Sequence, residues 1–173
     1  MNWTMPAALS AVLLAGAAYA QPAAAITDPQ IAHIAYTAGQ IDIDAGKQAL
    51  AKTRNPEVKA FAQEMVRDHQ AVNDQALALV KKLGVTPEAN ATSAALSSAA
   101  KAKLADLAKL NGAAFDKAYV DNEVAYHKTV NGALANTLIP NAKNAELKAL
   151  LQTGLKLFTE HQMHAEHVAT EVK

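Results

Sequence analysis

Four long stretches of this chain carry apolar residues at spacings of three, four or seven, with proline or glycine punctuation between them, and that pattern points to helices packed side by side. In the second stretch Val58, Ala62, Met65, Val72, Ala76, Val80 and Leu83 keep the period from Asn55-Pro56-Glu57 to the stop at Gly84. The first opens at Asp28-Pro29, an N-cap followed by proline at the first helical position. It runs to about Thr53 with Ile34, Ala38, Ile41 and Ala45 on one face. A third is expected from about Ala113 to Leu138, broken by Ile139-Pro140-Asn141, and a fourth from about Ala142 to Val172. Between the second and third lies the Ala- and Ser-rich segment Thr92 to Leu110. There Leu96, Leu104 and Leu107 allow a short helix ended by Asn111-Gly112. No segment alternates in the manner of a strand. The expected fold is all-α: an antiparallel four-helix bundle with one extra short helix between the second and third long helices.

The N-terminal end has a different character. Met1 to Ala20 contain no charged side chain, and the apolar run Ala7 to Gly16 leads to Ala18-Tyr19-Ala20, an A-x-A cleavage signature. We read residues 1–20 as a secretory signal peptide, 21–27 as an N-terminal tail and 28–173 as the bundle domain. A competing cut after Ala25 in Ala23-Ala24-Ala25 has the same small-residue character. The apolar run is shorter than the ~20 residues a spanning helix needs. The chain has no cysteine, hence no lipidation site after the signal and no disulfide framework. A periplasmic or secreted product, not a lipoprotein and without a transmembrane segment in its mature part, is therefore expected. Lys plus Arg and Asp plus Glu balance at 16 each, so no basic field favours nucleic acid as a partner. An envelope protein or a second copy of the chain remains as the class of partner.

Three histidines fall where the stripes call for apolar residues. His69 lies between Met65 and Val72 on the second helix, and His127 continues the line Val120, Val124, Leu134 and Leu138 on the third. His161 follows Leu147, Leu151 and Phe158 on the fourth. Glu123 and Asp116 lie close to the His127 line. Buried polar groups need partners, and side chains from facing helices of a bundle commonly hold a metal ion. The candidate metal ligands are thus His69, His127, His161, Glu123 and Asp116, with zinc, copper or iron as the ion. Affinity would be lost as pH falls through the histidine range near ~6.5. Alternatively each ring sits at its own depth and is satisfied by Tyr119, Asn122 or a backbone carbonyl. A second candidate is the helix strip His161, His164 and His167, two of which could grip one zinc or copper ion.

Other chemistry lacks its residues. There is no nucleophilic cysteine, no G-x-S-x-G elbow, no phosphate-cradling glycine loop and no H-E-x-x-H. The Glu-x-x-His pair of di-iron bundles is missing too, because Val66, Val124 and Phe158 stand three residues before the three histidines. No catalytic residue is singled out.

The segments Ala62-Gln63-Glu64-Met65-Val66-Arg67-Asp68-His69 and Phe115-Asp116-Lys117-Ala118-Tyr119-Val120, with His127 and His161, resemble an exported bacterial family catalogued as domain of unknown function 4142. The resemblance covers about Asp28 to Ala169. It implies a ferritin-like bundle and an envelope location, and no established reaction, substrate or cofactor. Two functional classes follow. One is a non-catalytic structural or partner-binding module of the envelope, its histidines knitting the interior. The other is a metal-binding or redox protein built on the inward histidine and carboxylate cluster.

Overall fold

The computed structural model describes residues 25–172, so the expected signal peptide and residues 21–24 of the expected tail lie outside the described residues. Helix α1 (Asp28–Lys52) is capped one residue earlier than the Asp28-Pro29 pattern suggested. The Thr27 hydroxyl accepts the Gln30 N–H while the Gln30 side chain accepts the Thr27 N–H. Asp28 instead ties the start of α1 to the loop before the last long helix: its carboxylate accepts the backbone N–H groups of Lys143 and Asn144, each at 2.8 Å. Helix α2 (Pro56–Leu83) begins as its sequence implies, with Asn55 capping and proline at the first position. It ends at Gly84, whose φ of 64° suits a residue without Cβ.

Helix α3 (Ala91–Ala108) runs alongside α1 in the same direction. Asn90 donates to the Gln30 carbonyl, Gln48 to that of Leu104 and Lys52 to that of Ala108. Only Ser93 and Leu107 of α3 are buried, so it is a strap outside the bundle. Its consequence is topological. By carrying the chain back along α1, it lets α4 (Gly112–Ala133) start at the same end as α2, while α5 (Ala145–Glu171) returns antiparallel to both. One long crossover among four long helices is the ferritin-like arrangement.

The third long helix departs from expectation near its end. After Ala133 it widens into a π-helical segment, Leu134–Leu138, and then makes one more turn, Ile139–Asn141, through Pro140. Pro140 has no N–H to give the carbonyl of Asn136 and its ring crowds that carbonyl, so a wider turn relieves the clash. Side chains cover some of the disturbed backbone: Asn136 donates to the Gly132 carbonyl and Asn141 to that of Thr137. No helix among the described residues is long and apolar enough to cross a membrane.

The core is divided along the bundle axis. One apolar cluster contains Ala45, Ala49, Val58, Phe61, Met65, Phe115, Tyr119, Val120, Ala165 and Val168. The other contains Ile31, Ile34, Leu134, Leu138, Leu147, Leu151 and Phe158. On every long helix a buried polar residue separates the two: Asp42 on α1, His69 and Asn73 on α2, Glu123, His127 and Asn131 on α4, and His161 on α5. The four helices are therefore in register at one polar layer. Helices α1 and α2 approach closely enough there that a Cβ on Gly39 would stand 2.4 Å from Asn73 Oδ1.

Candidate functional site

The polar layer is built from the middle of each helix, where the apolar stripe would otherwise continue. The ring centroids of His69, His127 and His161 form a triangle with sides of 5.7, 5.3 and 5.6 Å. One ring nitrogen from each lies within 4.8 Å of the others. Asp42, Glu123 and His127 form an adjoining group within the same limit. His69 connects the groups, with Nε2 3.4 Å from Asp42 Oδ2. Phe158 stacks on the His69 ring at 4.5 Å and closes the layer toward the second apolar cluster.

Hydrogen bonding fixes the tautomers of two rings. His127 Nδ1 lies 3.0 Å from the Glu123 carbonyl oxygen, and since a carbonyl only accepts, Nδ1 carries the proton and Nε2 a lone pair. His161 Nε2 lies 3.1 Å from Asp68 Oδ2. The Arg67 guanidinium beside Asp68, and next the His161 ring, hold its carboxyl below the usual range, so it is an acceptor. His161 Nε2 therefore donates, leaving the Nδ1 lone pair. His127 Nε2, His161 Nδ1, both nitrogens of His69 and both carboxylate oxygens of Glu123 are buried without a hydrogen-bond partner. Leaving such atoms unpaired costs on the order of 1–3 kcal/mol each, and all of them lie in the one polar layer.

Charge in the layer is set by desolvation. Burial pushes the His127 imidazole down to about 4, with the Glu123 carbonyl opposing. Burial also lowers His69 well below its ordinary value, with His127 and His161 adding to the effect. The three rings are neutral near pH 7, the state in which imidazole binds a metal. Burial pushes Glu123 up to about 7. Burial and then the neighbouring Glu123 raise Asp42 well above its ordinary value. Both carboxyls are therefore held toward their neutral form, and a cation entering the layer would replace a proton there.

The sequence-predicted residues do not all meet. Asp116 is buried on α4 but belongs to none of the donor groups among the described residues. It precedes Glu123 by seven residues, about 10 Å along the helix axis, at the level of Phe115 and the first apolar cluster. The C-terminal strip does not converge either. His161 turns to Asp68, His164 Nδ1 lies 2.6 Å from Glu64 Oε2, and His167 is exposed. Sequence reading missed Asp42, because Ile41 was placed on the inward face. Ile41 is only half-buried, whereas Ala38, Asp42, Ala45 and Ala49 line the buried stripe. A carboxylate at the helical spacing of small apolar residues was the available signal.

Fold and layer together define a ferritin-like helical bundle with a histidine and carboxylate cluster across its core. Residues 13–168 match the family described as Domain of unknown function (DUF4142), and the chain belongs to that family. Among solved structures, a DUF305 protein from Streptomyces coelicolor, a candidate secreted protein by its name, superposes with a TM-score of 0.70 at 10% identity. The match covers 82% of this chain and 91% of that one, and at such identity it speaks for the fold alone. No curated protein matches the sequence.

Proposed function

We propose that this chain is an exported envelope protein that binds one transition-metal ion in its bundle core. His69, His127 and His161 supply the nitrogens, and Asp42 and Glu123 act as carboxylate ligands or as acceptors beside them. One observation carries the reading. The outer N–H groups of His127 and His161 are tied to a carbonyl and a carboxylate, while their opposite nitrogens are buried without partners. Metal-bound histidines are oriented in this way, the remote N–H held and the lone pair directed at the ion. If the histidines only knit the interior, His69 Nδ1 stays desolvated with nothing to bond, and His69 Nε2 has only Asp42 Oδ2, at 3.4 Å. Zinc, copper and iron all accept imidazole. A di-iron centre is disfavoured by the spacing, since Glu123 precedes His127 by four residues and not three.

The A-x-A site at Ala18-Tyr19-Ala20 and the lack of a cysteine for a lipid anchor support a periplasmic or secreted product.

Titration calorimetry with zinc, on protein purified without a histidine tag, tests the binding. About one equivalent should bind, and His127→Gln should weaken it by more than the roughly 10- to 100-fold that loss of a supporting group costs. His167→Gln should leave binding unchanged. Failure of the folded wild-type chain to bind zinc, copper or iron would refute the proposal.

A further inference from the structure

A second group of donors lies against the outer side of His161. Glu64 and Asp68, one turn apart on α2, and His161 on α5 present ligand atoms within 4.8 Å of one another. His164, one turn along α5, places Nδ1 2.6 Å from Glu64 Oε2, and its ring meets that of Phe61 perpendicularly, centroids 5.2 Å apart. The group grades from solvent to core: the side chains of His164 and Glu64 are 39% and 30% exposed, Asp68 16% and His161 1%. A cation already stands at its mouth. Arg67 lies on the Asp68 carboxylate through Nε at 2.6 Å and Nη2 at 3.0 Å, and its own side chain is 70% exposed. The guanidinium is held from the solvent side only, its own side chain 70% exposed, so an incoming divalent ion can take its place on the Asp68 carboxylate.

We propose that Glu64, Asp68, His161 and His164 form an outer site for a divalent transition-metal ion, and that this site loads the buried centre. Two carboxylates with two imidazoles suit zinc, copper, cobalt or nickel. The site stands independently of the buried centre; its loading role rests on the function proposed above.

The shared residue dictates how the two sites relate. A neutral imidazole has one lone pair. An ion in the buried centre uses His161 Nδ1, with the proton on Nε2 donated to Asp68. An ion at the outer site uses His161 Nε2, with the proton on Nδ1. One ring therefore serves one ion at a time, and passage inward moves the His161 proton from Nδ1 to Nε2 with no net proton gained or lost at that ring. Occupancy of the two sites is exclusive. The wild-type chain should bind one equivalent while possessing two sites.

Cobalt(II) chloride is a suitable probe, because its visible absorption differs between donor sets and its uptake is followed by stopped flow. His69→Gln/His127→Gln removes the buried centre and retains the outer site. It should still bind one cobalt, more weakly than wild type, and should lose it when Glu64→Gln/His164→Gln is added. Glu64→Gln/His164→Gln alone should reach the wild-type end spectrum and stoichiometry but load slower by roughly ten-fold or more, the scale on which supporting groups act. If the folded His69→Gln/His127→Gln chain binds no cobalt, the outer site is refuted while the buried centre stands on the wild-type titration. Wild-type loading rates in Glu64→Gln/His164→Gln would refute the loading role. If wild-type cobalt binding is abolished by Glu64→Gln/His164→Gln and indifferent to His69→Gln/His127→Gln, the outer site stands and the buried-centre reading falls.

Discussion

His127 Nδ1 donates to the carbonyl oxygen of Glu123, four residues earlier on the same helix, at 3.0 Å. A helix carbonyl on the buried face thus fixes the tautomer of the ring, and His127 Nε2 is left as a lone pair in the core. The Glu123 side chain stands beside the same ring, its Oε2 3.6 Å from Nδ1. One helical turn supplies both the orientation of a nitrogen ligand and the nearest carboxylate.

The metal-free chain should be less stable at pH 8 than its Glu123→Gln variant. Glu123 keeps its proton in the fold up to about 7, against an ordinary 4.5, so the folded state binds more protons than the unfolded state in that window. Its contribution is present below 4.5 and lost as pH rises to about 7, an effect on the order of 3 kcal/mol. His127 has the opposite sign, since its folded value of about 4 lies below the ordinary 6.5 and its contribution is regained as pH rises between them. Urea denaturation with chelator present should show Glu123→Gln stabilised at pH 8 and little changed at pH 4.5. Equal effects at both would contradict a buried, protonated Glu123.

Metal uptake should release a proton from a carboxyl group and not from an imidazole. At pH 6 burial keeps His127 neutral and Glu123 protonated, so the proton lost on binding comes from the Asp42 and Glu123 pair. This displaces the pH dependence expected from the sequence: affinity should fall about ten-fold per pH unit below about 7 through the carboxyl proton. Zinc titrations at pH 6 in buffers of different ionisation enthalpy should count about one proton per ion in wild type and fewer in Glu123→Gln. An unchanged count would place the proton elsewhere.

The packing around the layer is tight enough to test by addition as well as deletion. Gly39→Ala drives its Cβ to within 2.4 Å of Asn73 Oδ1 and disturbs the Asn73 bond to the Tyr36 carbonyl, so a loss of about 1–3 kcal/mol is expected from overpacking. Met65→Ala, in the fully buried core, should cost about 2–5 kcal/mol through its cavity. Chemical denaturation measures both, and an unchanged midpoint for either would mean that α1 and α2 do not pack as described.

The long helices and the inward histidines were legible because an imidazole at a core spacing breaks an otherwise apolar stripe, as His69 does between Met65 and Val72. Their common depth was not legible. It depends on how far each helix slides along its neighbours, which the α3 crossover and the tie between Asp28 and the start of α5 set together. The same limit explains Asp116, which shares a helix with His127 but lies at another level. Asp42 was hidden by a stripe of alanine and glycine too weakly apolar to mark its inward side. Asp68 stands in the motif that carries the family resemblance, but nothing in the sequence joins it and Glu64 to a donor group, since acidic residues beside a stripe are ordinary until α5 brings His161 and His164 against them.

Anomalous diffraction at the zinc edge, on crystals of the zinc-loaded chain, tests the buried centre most directly. A single strong peak is expected among His69, His127 and His161, about 2.0–2.1 Å from His127 Nε2 and His161 Nδ1, with Asp42 or Glu123 beside it. A peak confined to His167 or to the protein surface, or no peak between the rings at full zinc loading, would contradict a metal centre in the core.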